Sequence, residues 1–338
     1  MANVAINGLG RIGRAALKII METPGLDLVA VNDIGSLDNL AYLLRYDTAY
    51  GRYHKSVEEA DGKLVIDGQS IAFLQERNPE DLPWSEMNVD LVFECVGIFT
   101  DMEGASKHIK AGAKFVIISG PTKSADVPTV VHGVNTADGE TRVLSCASCT
   151  TNNITPVLEI LDRYIGIEKA IMTTVHAYTS TQELIDTPKQ KDFRRGRAAA
   201  QNIIPTTTGA AKASTKALPQ LEGKFDGISM RVPVITGSIS DMVFVTKRDT
   251  SAEEVNEIFR KEAATDRYKG ILGVTDEPLV SSDIIGETHA SVVDLGMTRV
   301  VDGDLLKVLA WYDNEWSYTS QMIREAVSTL KNAGLVPA

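Results

Sequence analysis

The sequence predicts two domains: a doubly wound α/β domain, then an α+β domain whose sheet is mainly antiparallel. Three observations lead there. The chain has 338 residues, and domains run to about 100–200 residues each. Before about residue 150, short apolar runs alternate with segments of helical period, the pattern of a parallel sheet covered by helices. After it the strand-like segments are longer, hold more polar residues and alternate, as in a sheet with one exposed face.

In the first part, Val4-Ala5-Ile6 reads as a strand. Residues 11–21 read as a helix, because Ile12, Ala15, Ala16, Ile19 and Ile20 recur at helical spacing. Leu26 to Val31 reads as a second strand, and Leu91-Val92-Phe93 and Phe115 to Ile118 as strands buried on both faces. A helix over roughly 150–165 opens the second part. Strand-like segments follow at 168–177, 228–234, 239–247 and 291–313, the last broken at Asp302-Gly303-Asp304. Residues 180–202 read as a long polar loop of the kind that serves function or a partner. From about 315, Met322, Ile323, Ala326, Val327 and Leu330 share one face, which predicts an amphipathic helix. The expected domains are 1–149, completed by the C-terminal helix 315–338, and 150–314.

Apolar residues make up 43% of the chain, ample for packed cores, and the net charge is −11. That balance argues against nucleic acid as main partner, since phosphate binding needs clustered Lys and Arg. Three cysteines, Cys95, Cys146 and Cys149, give no disulfide framework and fit a reducing compartment. No run approaches the ~18 apolar residues of a membrane span, and the opening residues lack the pattern of a secretory leader. The expectation is a cytoplasmic protein with no membrane partner. No cluster reads as a metal site.

Gly8-Leu9-Gly10-Arg11-Ile12-Gly13 fits G-x-G-x-x-G. Alone the pattern is weak, since many glycine loops are only turns. Here a strand precedes it and a helix follows, the context of a dinucleotide site in a Rossmann-like domain. Glycines there permit a tight turn and let the backbone approach a pyrophosphate at a helix N-terminus. Asp33 ends the second strand twenty residues beyond Gly13, where a carboxylate receives the ribose hydroxyls and disfavours a 2′-phosphate. NAD is therefore the expected cofactor.

Ala147 to Asn152 lies between an apolar strand and a helix. A thiol in the first turn of a helix, as at Cys149, feels the N–H groups and dipole that favour a thiolate. A lone cysteine is more commonly inert and buried, which is the reading for Cys95. His176, at the end of a strand, makes a nucleophile–base pair with Cys149 a hypothesis, because sequence separation does not give distance. Thr206-Thr207-Thr208-Gly209 before a helix-like stretch, Arg231, and Arg194, Arg195 and Arg197 offer anion contacts, each weighed against an ordinary solvated charge.

Together these residues resemble the glyceraldehyde-3-phosphate dehydrogenase family. The matching runs are Asn7 through Arg14, Ala147 through Asn152, His176 through Thr179, Thr206 through Lys212, and Trp311 through Trp316, in family order over essentially the whole chain. The resemblance implies that Cys149 attacks an aldehyde and His176 takes the thiol proton, with a thioester then cleaved by inorganic phosphate. It implies that Thr179 and Arg231 hold the substrate phosphate and that Ser148, Thr208, Gly209 and Arg195 hold the attacking phosphate. Thr150, in the cysteine motif, falls with the substrate-binding residues. Asn7, Gly8, Gly10, Arg11, Ile12, Gly13 and Asp33 would bind NAD, with Glu76-Arg77 past the adenine, Ser119 beside the cofactor, Asn314 on the nicotinamide amide and Tyr318 near its ring. A homotetramer with the 180–202 loop at a subunit interface is also implied.

Some positions depart from the common family pattern. Cys146 stands where Asn is usual and Asn153 where Cys is usual; Val96, Gly120 and Ser317 replace Thr, Ala and Gly. A Cys146–Cys149 disulfide is the redox switch that the moved thiol suggests, although such short loops strain the bond. Pro188 after Thr187 resembles NAD-type members, while the small hydroxylated residues of that loop also occur in dual-specificity ones. Erythrose-4-phosphate dehydrogenase is the nearest alternative, and usually lacks the runs around Thr208 and His176. An acyl-phosphate reductase is more distant. A non-catalytic interaction protein on the same fold is the alternative of another class, against which stand Cys149 and His176.

Overall fold

The structure, a computed structural model, describes residues 1–138 and 140–337. The chain divides into two compact units: Met1–His132, Thr136–Ala147 and Thr319–Ala338 form one, and Gly133–Asn135 with Ser148–Tyr318 the other. The helix Trp316–Asn332 thus belongs, from Thr319 onward, to the first unit.

In the first unit six parallel strands lie in the order Val143–Ser145, Phe115–Ile118, Leu91–Glu94, Ala2–Asn7, Leu26–Asn32, Gln69–Leu74. The chain builds outward from Ala2–Asn7 to one side, then returns to build the other. That reversal is the topological switch point where such sheets bind ligands, at the strands' carboxyl ends. All four residues of Leu91–Glu94 are buried, as the unbroken apolar run predicts for a strand covered on both faces. The helix Arg11–Ile20 buries Gly13, Ala16, Leu17 and Ile20.

The sequence reading did not resolve the helices Leu37–Arg45 and Met102–Lys110, or the antiparallel strands Val57–Ala60 and Lys63–Ile66 that extend the sheet beyond Gln69–Leu74. The signals were present. Asp61-Gly62 and Asp67-Gly68 both take positive φ, the requirement of two-residue hairpin turns that Asp-Gly meets cheaply. Asp101 caps its helix by accepting from the Gly104 N–H at 2.8 Å.

The second unit holds a sheet in the order Ile204–Thr207, Phe225–Val232, Ile167–Ala177, Ser238–Thr246, Leu305–Tyr312, Ser291–Asp294, Leu272–Thr275, with Arg299–Val301 also pairing to Leu305–Tyr312. It is mainly antiparallel; Ile167–Ala177 with Phe225–Val232, and Leu272–Thr275 with Ser291–Asp294, are the parallel pairs. Ser238–Thr246 alternates buried and half-buried residues without a break, the signature of a sheet packed on one face. Met172, Met242, Phe244, Leu306 and Val308 from that face share a core with Ile154, Val157 and Leu158 of the helix Cys149–Tyr164 and with Val255 and Phe259 of the helix Ala252–Ala263. The segment read as 291–313 is three strands rather than two, because a single 3₁₀ turn at Leu295–Met297 breaks it again before the turn at Asp302-Gly303. In 180–202 a short 3₁₀ turn, Arg194–Gly196, and an isolated bridge between Glu183 and Ala198 are the regular structure.

Candidate active site

A cavity of about 420 Å³ opens at the carboxyl ends of four parallel strands of the first unit. Asn7 ends the first strand, with Gly8 and Gly10 after it; Asn32 ends the second, with Asp33 and Ile34 after it; Glu76 and Arg77 follow the strand Gln69–Leu74, and Cys95, Val96, Ile98 and Phe99 the strand Leu91–Glu94. Each glycine has its own reason. Gly8 has φ +95°, and a Cβ on it would stand 2.8 Å from Val96 Cγ2. A Cβ on Gly13 would fall 1.9 Å from the Gly8 carbonyl oxygen, so Gly13 permits the close packing of helix on turn. The space beside Gly10 is open, as backbone approached by a ligand must be.

Asp33 holds the loop as well as facing the cavity. Its Oδ2 accepts from the Leu9 N–H at 2.7 Å and its Oδ1 from the Gly35 N–H at 2.8 Å. The carboxylate keeps further lone pairs for hydroxyl groups. Exposed Ile34 and Ile98 give the cavity an apolar rim for a flat base. Glycine turn, helix N-terminus, strand-end carboxylate and apolar rim together fit a dinucleotide.

Arg11, Ile12, Gly13 and Ser119 are not among those lining this cavity. The Arg11 guanidinium pairs with Asp47 at 2.5 Å and lies over the Tyr50 ring. Asn314 and Tyr318 are buried residues of the second unit. Asn314 Oδ1 accepts from the Ser238 hydroxyl at 2.9 Å, which leaves its N–H groups to donate. Asn32, Ile34, Cys95, Ile98 and Phe99 were not anticipated in the cavity wall. The signal for them was position, since all lie at or just past the carboxyl ends of strands on either side of the switch point.

In the second unit Cys149 is the first residue of the helix Cys149–Tyr164. Ser148 is its N-cap, accepting from the Thr151 N–H at 3.1 Å. The preceding residue, Ala147, sits at φ +58°, a left-handed conformation that costs energy for a residue with a Cβ and recurs beside active sites. His176 is the next-to-last residue of the strand Ile167–Ala177, and its Nε2 lies 3.4 Å from Cys149 Sγ. The pairing that sequence left as a hypothesis is thus a contact.

His176 Nδ1 lies 2.7 Å from the Ala177 carbonyl oxygen and 2.7 Å from Arg231 Nη1. The two partners select opposite tautomers. With its proton on Nδ1, the ring donates to the carbonyl and offers a bare Nε2 to the thiol, as a base must. With Nδ1 accepting from Arg231, an Nε2–H faces the sulfur and favours a thiolate. Burial pushes the His176 pKa well down, and the charge of Arg231 adds to that, against the Ala177 hydrogen bond. Burial pushes the Cys149 thiol up, while Arg231 and the Thr150 hydrogen bond pull it back. Arg231 therefore acts on both members of the pair.

Tyr312, fully buried, ties the site to the sheet. Its hydroxyl lies 2.9 Å from Thr150 Oγ1 and 2.8 Å from Thr174 Oγ1, and its ring meets the His176 ring edge-on. Sequence reading did not single it out, although it sits inside the Trp311 to Trp316 run. Thr150 is engaged internally by this bond.

Arg195 Nε donates to Thr206 Oγ1 at 3.0 Å and pairs with Asp192 at 3.1 Å, which sets the guanidinium beside the strand Ile204–Thr207. Thr208 Oγ1 accepts from the Ala210 N–H at 3.1 Å, and Gly209 caps the helix Ala210–Ala217. Arg195 and Arg231 are close enough that the charge of Arg195 works with burial to lower the Arg231 pKa. Like charges held together accept an anion. Thr179 Oγ1 lies 2.9 Å from Thr181 Oγ1. Asn153, where the family pattern has Cys, reaches from the helix toward the Trp311 carbonyl at 3.2 Å and the Ala290 carbonyl at 3.4 Å. All three cysteines are free thiols, and burial raises the pKa of Cys146. Among the described residues no helix is long and apolar enough to cross a membrane, and no group of His, Cys, Asp or Glu could hold a metal ion.

A cavity that fits a dinucleotide in one unit, and a cysteine–histidine pair beside guanidinium groups in the other, fit the class of NAD-dependent oxidoreductases. Family models narrow the class. Residues 2–102 match the NAD binding domain of glyceraldehyde 3-phosphate dehydrogenase, and residues 148–314 its C-terminal domain. The chain is 49% identical to glyceraldehyde-3-phosphate dehydrogenase 2 of Streptomyces avermitilis, over 95% of this chain and 96% of that one. It is 47% identical to glyceraldehyde-3-phosphate dehydrogenase of Clostridium pasteurianum, over 96% and 97%, and equally so to that of Zymomonas mobilis, over 97% and 98%. The chain belongs to the glyceraldehyde-3-phosphate dehydrogenase family, and its cofactor is NAD.

Proposed function

We propose that the chain oxidises D-glyceraldehyde 3-phosphate to 1,3-bisphosphoglycerate with NAD and inorganic phosphate, as an enzyme of glycolysis and gluconeogenesis. The observation that carries the reading is the 3.4 Å contact of Cys149 Sγ with His176 Nε2 at the start of a helix. Sulfur attacks the aldehyde carbon, and the S–H proton passes through His176 to the carbonyl oxygen, giving a hemithioacetal. His176 then takes the hydroxyl proton as the carbon is oxidised to a thioester. NAD supplies hydride acceptance when bound. A phosphate oxygen next attacks the thioester carbon, and Cys149 leaves as thiolate, to be reprotonated from His176.

Arg231 and Thr179 are assigned to the substrate phosphate, and Ser148, Thr208, Gly209 and Arg195 to the attacking one. Support comes from the convergence of Arg195 on Thr206 and from its repulsion with Arg231. Gly8, Gly10, Asp33 and Arg77 are assigned to NAD by their place in the cavity wall. Asn7, Arg11, Ile12 and Gly13 shape its loop. Asn314, with Ser238 fixing its oxygen, is assigned to the nicotinamide amide, and Tyr318 and Ser119 to its surroundings. We read Thr150 as a support of the site through Tyr312. A cytoplasmic homotetramer completes the proposal; exposed Leu184, Ile185 and Phe193 in the 180–202 loop are apolar surface that an interface would cover. Light scattering on the purified chain tests it, and a monomer would refute it.

Following reduced nicotinamide by absorbance, with and without phosphate, tests the reaction. Turnover should depend on phosphate and vanish in Cys149→Ser. Sustained turnover without phosphate would mean that water resolves the thioester. Activity with erythrose 4-phosphate alone would transfer the assignment to the alternative.

A further inference from the structure

Behind the dinucleotide cavity lie two fully buried titratable side chains that the chemistry above does not use. Glu94 and His108 have no exposed side-chain surface, and His108 Nε2 stands 2.9 Å from Glu94 Oε2. The other ring nitrogen, Nδ1, receives the Trp84 indole N–H at 2.9 Å. An indole nitrogen can only donate. His108 Nδ1 must therefore be the acceptor, the ring proton sits on Nε2, and Nε2–H donates to Glu94. The tautomer follows from geometry alone.

The same logic runs on through the network. Asn7 Nδ2 donates to Glu94 Oε2 at 2.6 Å, and Asn32 Nδ2 donates to Asn7 Oδ1 at 2.7 Å. Asn32 is fixed in turn by the Glu76 backbone, donating to its carbonyl at 2.9 Å and accepting from its N–H at 2.8 Å. Glu94 Oε1 accepts from the Val96 backbone N–H at 2.7 Å. Three donors from three segments thus converge on one acceptor-only carboxylate. Asn7, Asn32, Glu76 and Val96 all line the cavity, and Val96 packs on Gly8. The Asn7 amide is spent at both ends inside the protein, so what it presents to the cavity is backbone.

We infer that Glu94, with its proton arrangement set by His108 and Trp84, is the positioning residue of the cofactor cavity. It holds the glycine turn, the Val96 backbone and the Asn32–Glu76 wall in one binding-ready register. A buried network whose bonds each have one allowed direction is rigid, and reversing any one of them sets like against like, donor on donor or acceptor on acceptor. The inference rests on the reading of this cavity as the NAD site.

Calorimetric titration of the full chain with NAD tests it. Glu94→Gln puts an amide N–H among three donors, and should weaken NAD binding about tenfold or more, raising KM for NAD while kcat at saturating NAD changes little. His108→Gln can still accept from Trp84 and donate to Glu94, and should bind NAD nearly as wild type does; His108→Leu fills the space without either bond, and should bind as weakly as Glu94→Gln. Alkylation of Cys149 in the absence of NAD reports an intact second unit in each variant. Nitrogen-15 spectra of the wild-type chain, which need no variant to fold, should show one His108 ring proton, on Nε2, whose signal moves when NAD is added. Equal NAD affinity in His108→Gln and His108→Leu, wild-type affinity in Glu94→Gln, or a ring proton on Nδ1 overturns the inference alone. A wild-type chain that does not bind NAD overturns the reading of the cavity, and the inference with it.

Discussion

The cavity at the glycine turn and the thiol site are built in different ways. The cavity is assembled from backbone and from residues that follow the ends of adjacent parallel strands. Its decisive motif, Gly8 through Gly13, is contiguous. The thiol site is made of side chains from a helix start, two strand ends and a loop, namely Cys149, His176, Arg231 and Arg195. Backbone sites tolerate changes of side chain but not of space. Side-chain sites tolerate changes of space but not of functional group.

His176→Asn should separate the two regions most widely. Removing the base should lower kcat about 10²- to 10⁴-fold and leave the calorimetric affinity for NAD where it was; loss of both would mean that the regions are not independent. The converse change is Gly13→Ala, whose Cβ would overlap the Gly8 carbonyl. Relieving such a clash costs about 1–3 kcal/mol, so NAD binding should weaken roughly tenfold or more while iodoacetamide still alkylates Cys149 at the wild-type rate. Slowed alkylation would show that the turn also shapes the thiol site.

Arg231→Gln sharpens the comparison through pH. The guanidinium lowers the Cys149 pKa and also lowers that of His176. Without it the thiol should titrate at higher pH, so the pH profile of alkylation moves upward and the rate near neutrality falls. A profile that stays in place or moves down would remove Arg231 as the charge acting on sulfur. The smallest effect belongs to Asn153→Ala, which deletes the bonds from the cysteine helix to Ser291, in the strand Ser291–Asp294, and to Trp311, in the strand Leu305–Tyr312. Thermal unfolding should register a loss of about 1–2 kcal/mol, with the alkylation rate kept; an unchanged midpoint would make this departure from the family pattern neutral.

The legible parts of the molecule share a cause. The helix at Arg11–Ile20 and the buried strand Leu91–Glu94 follow from local period. The Cys149 helix and the break at Asp302-Gly303 follow from capping and turn chemistry that neighbours in sequence supply. The unread hairpin strands near 57–66 are short, and their Asp-Gly turns carried more signal than their residues. Ile34, Ile98 and Phe99 became cavity residues because of which strands lie side by side, a fact with no local mark.

The sequence by itself determined the two kinds of sheet, the glycine turn with its NAD-favouring Asp33, and the candidate thiol, since each depends on residues close together in the chain. Only the tertiary structure decided that His176 meets Cys149, that Arg231 touches the far side of that imidazole, that Tyr312 underlies both, and that Asn7 turns inward to Glu94. Those contacts join residues 27 to 162 positions apart. Chain separation fixes the entropy of bringing such groups together; the packing of strands, which register and burial settle, is what places them.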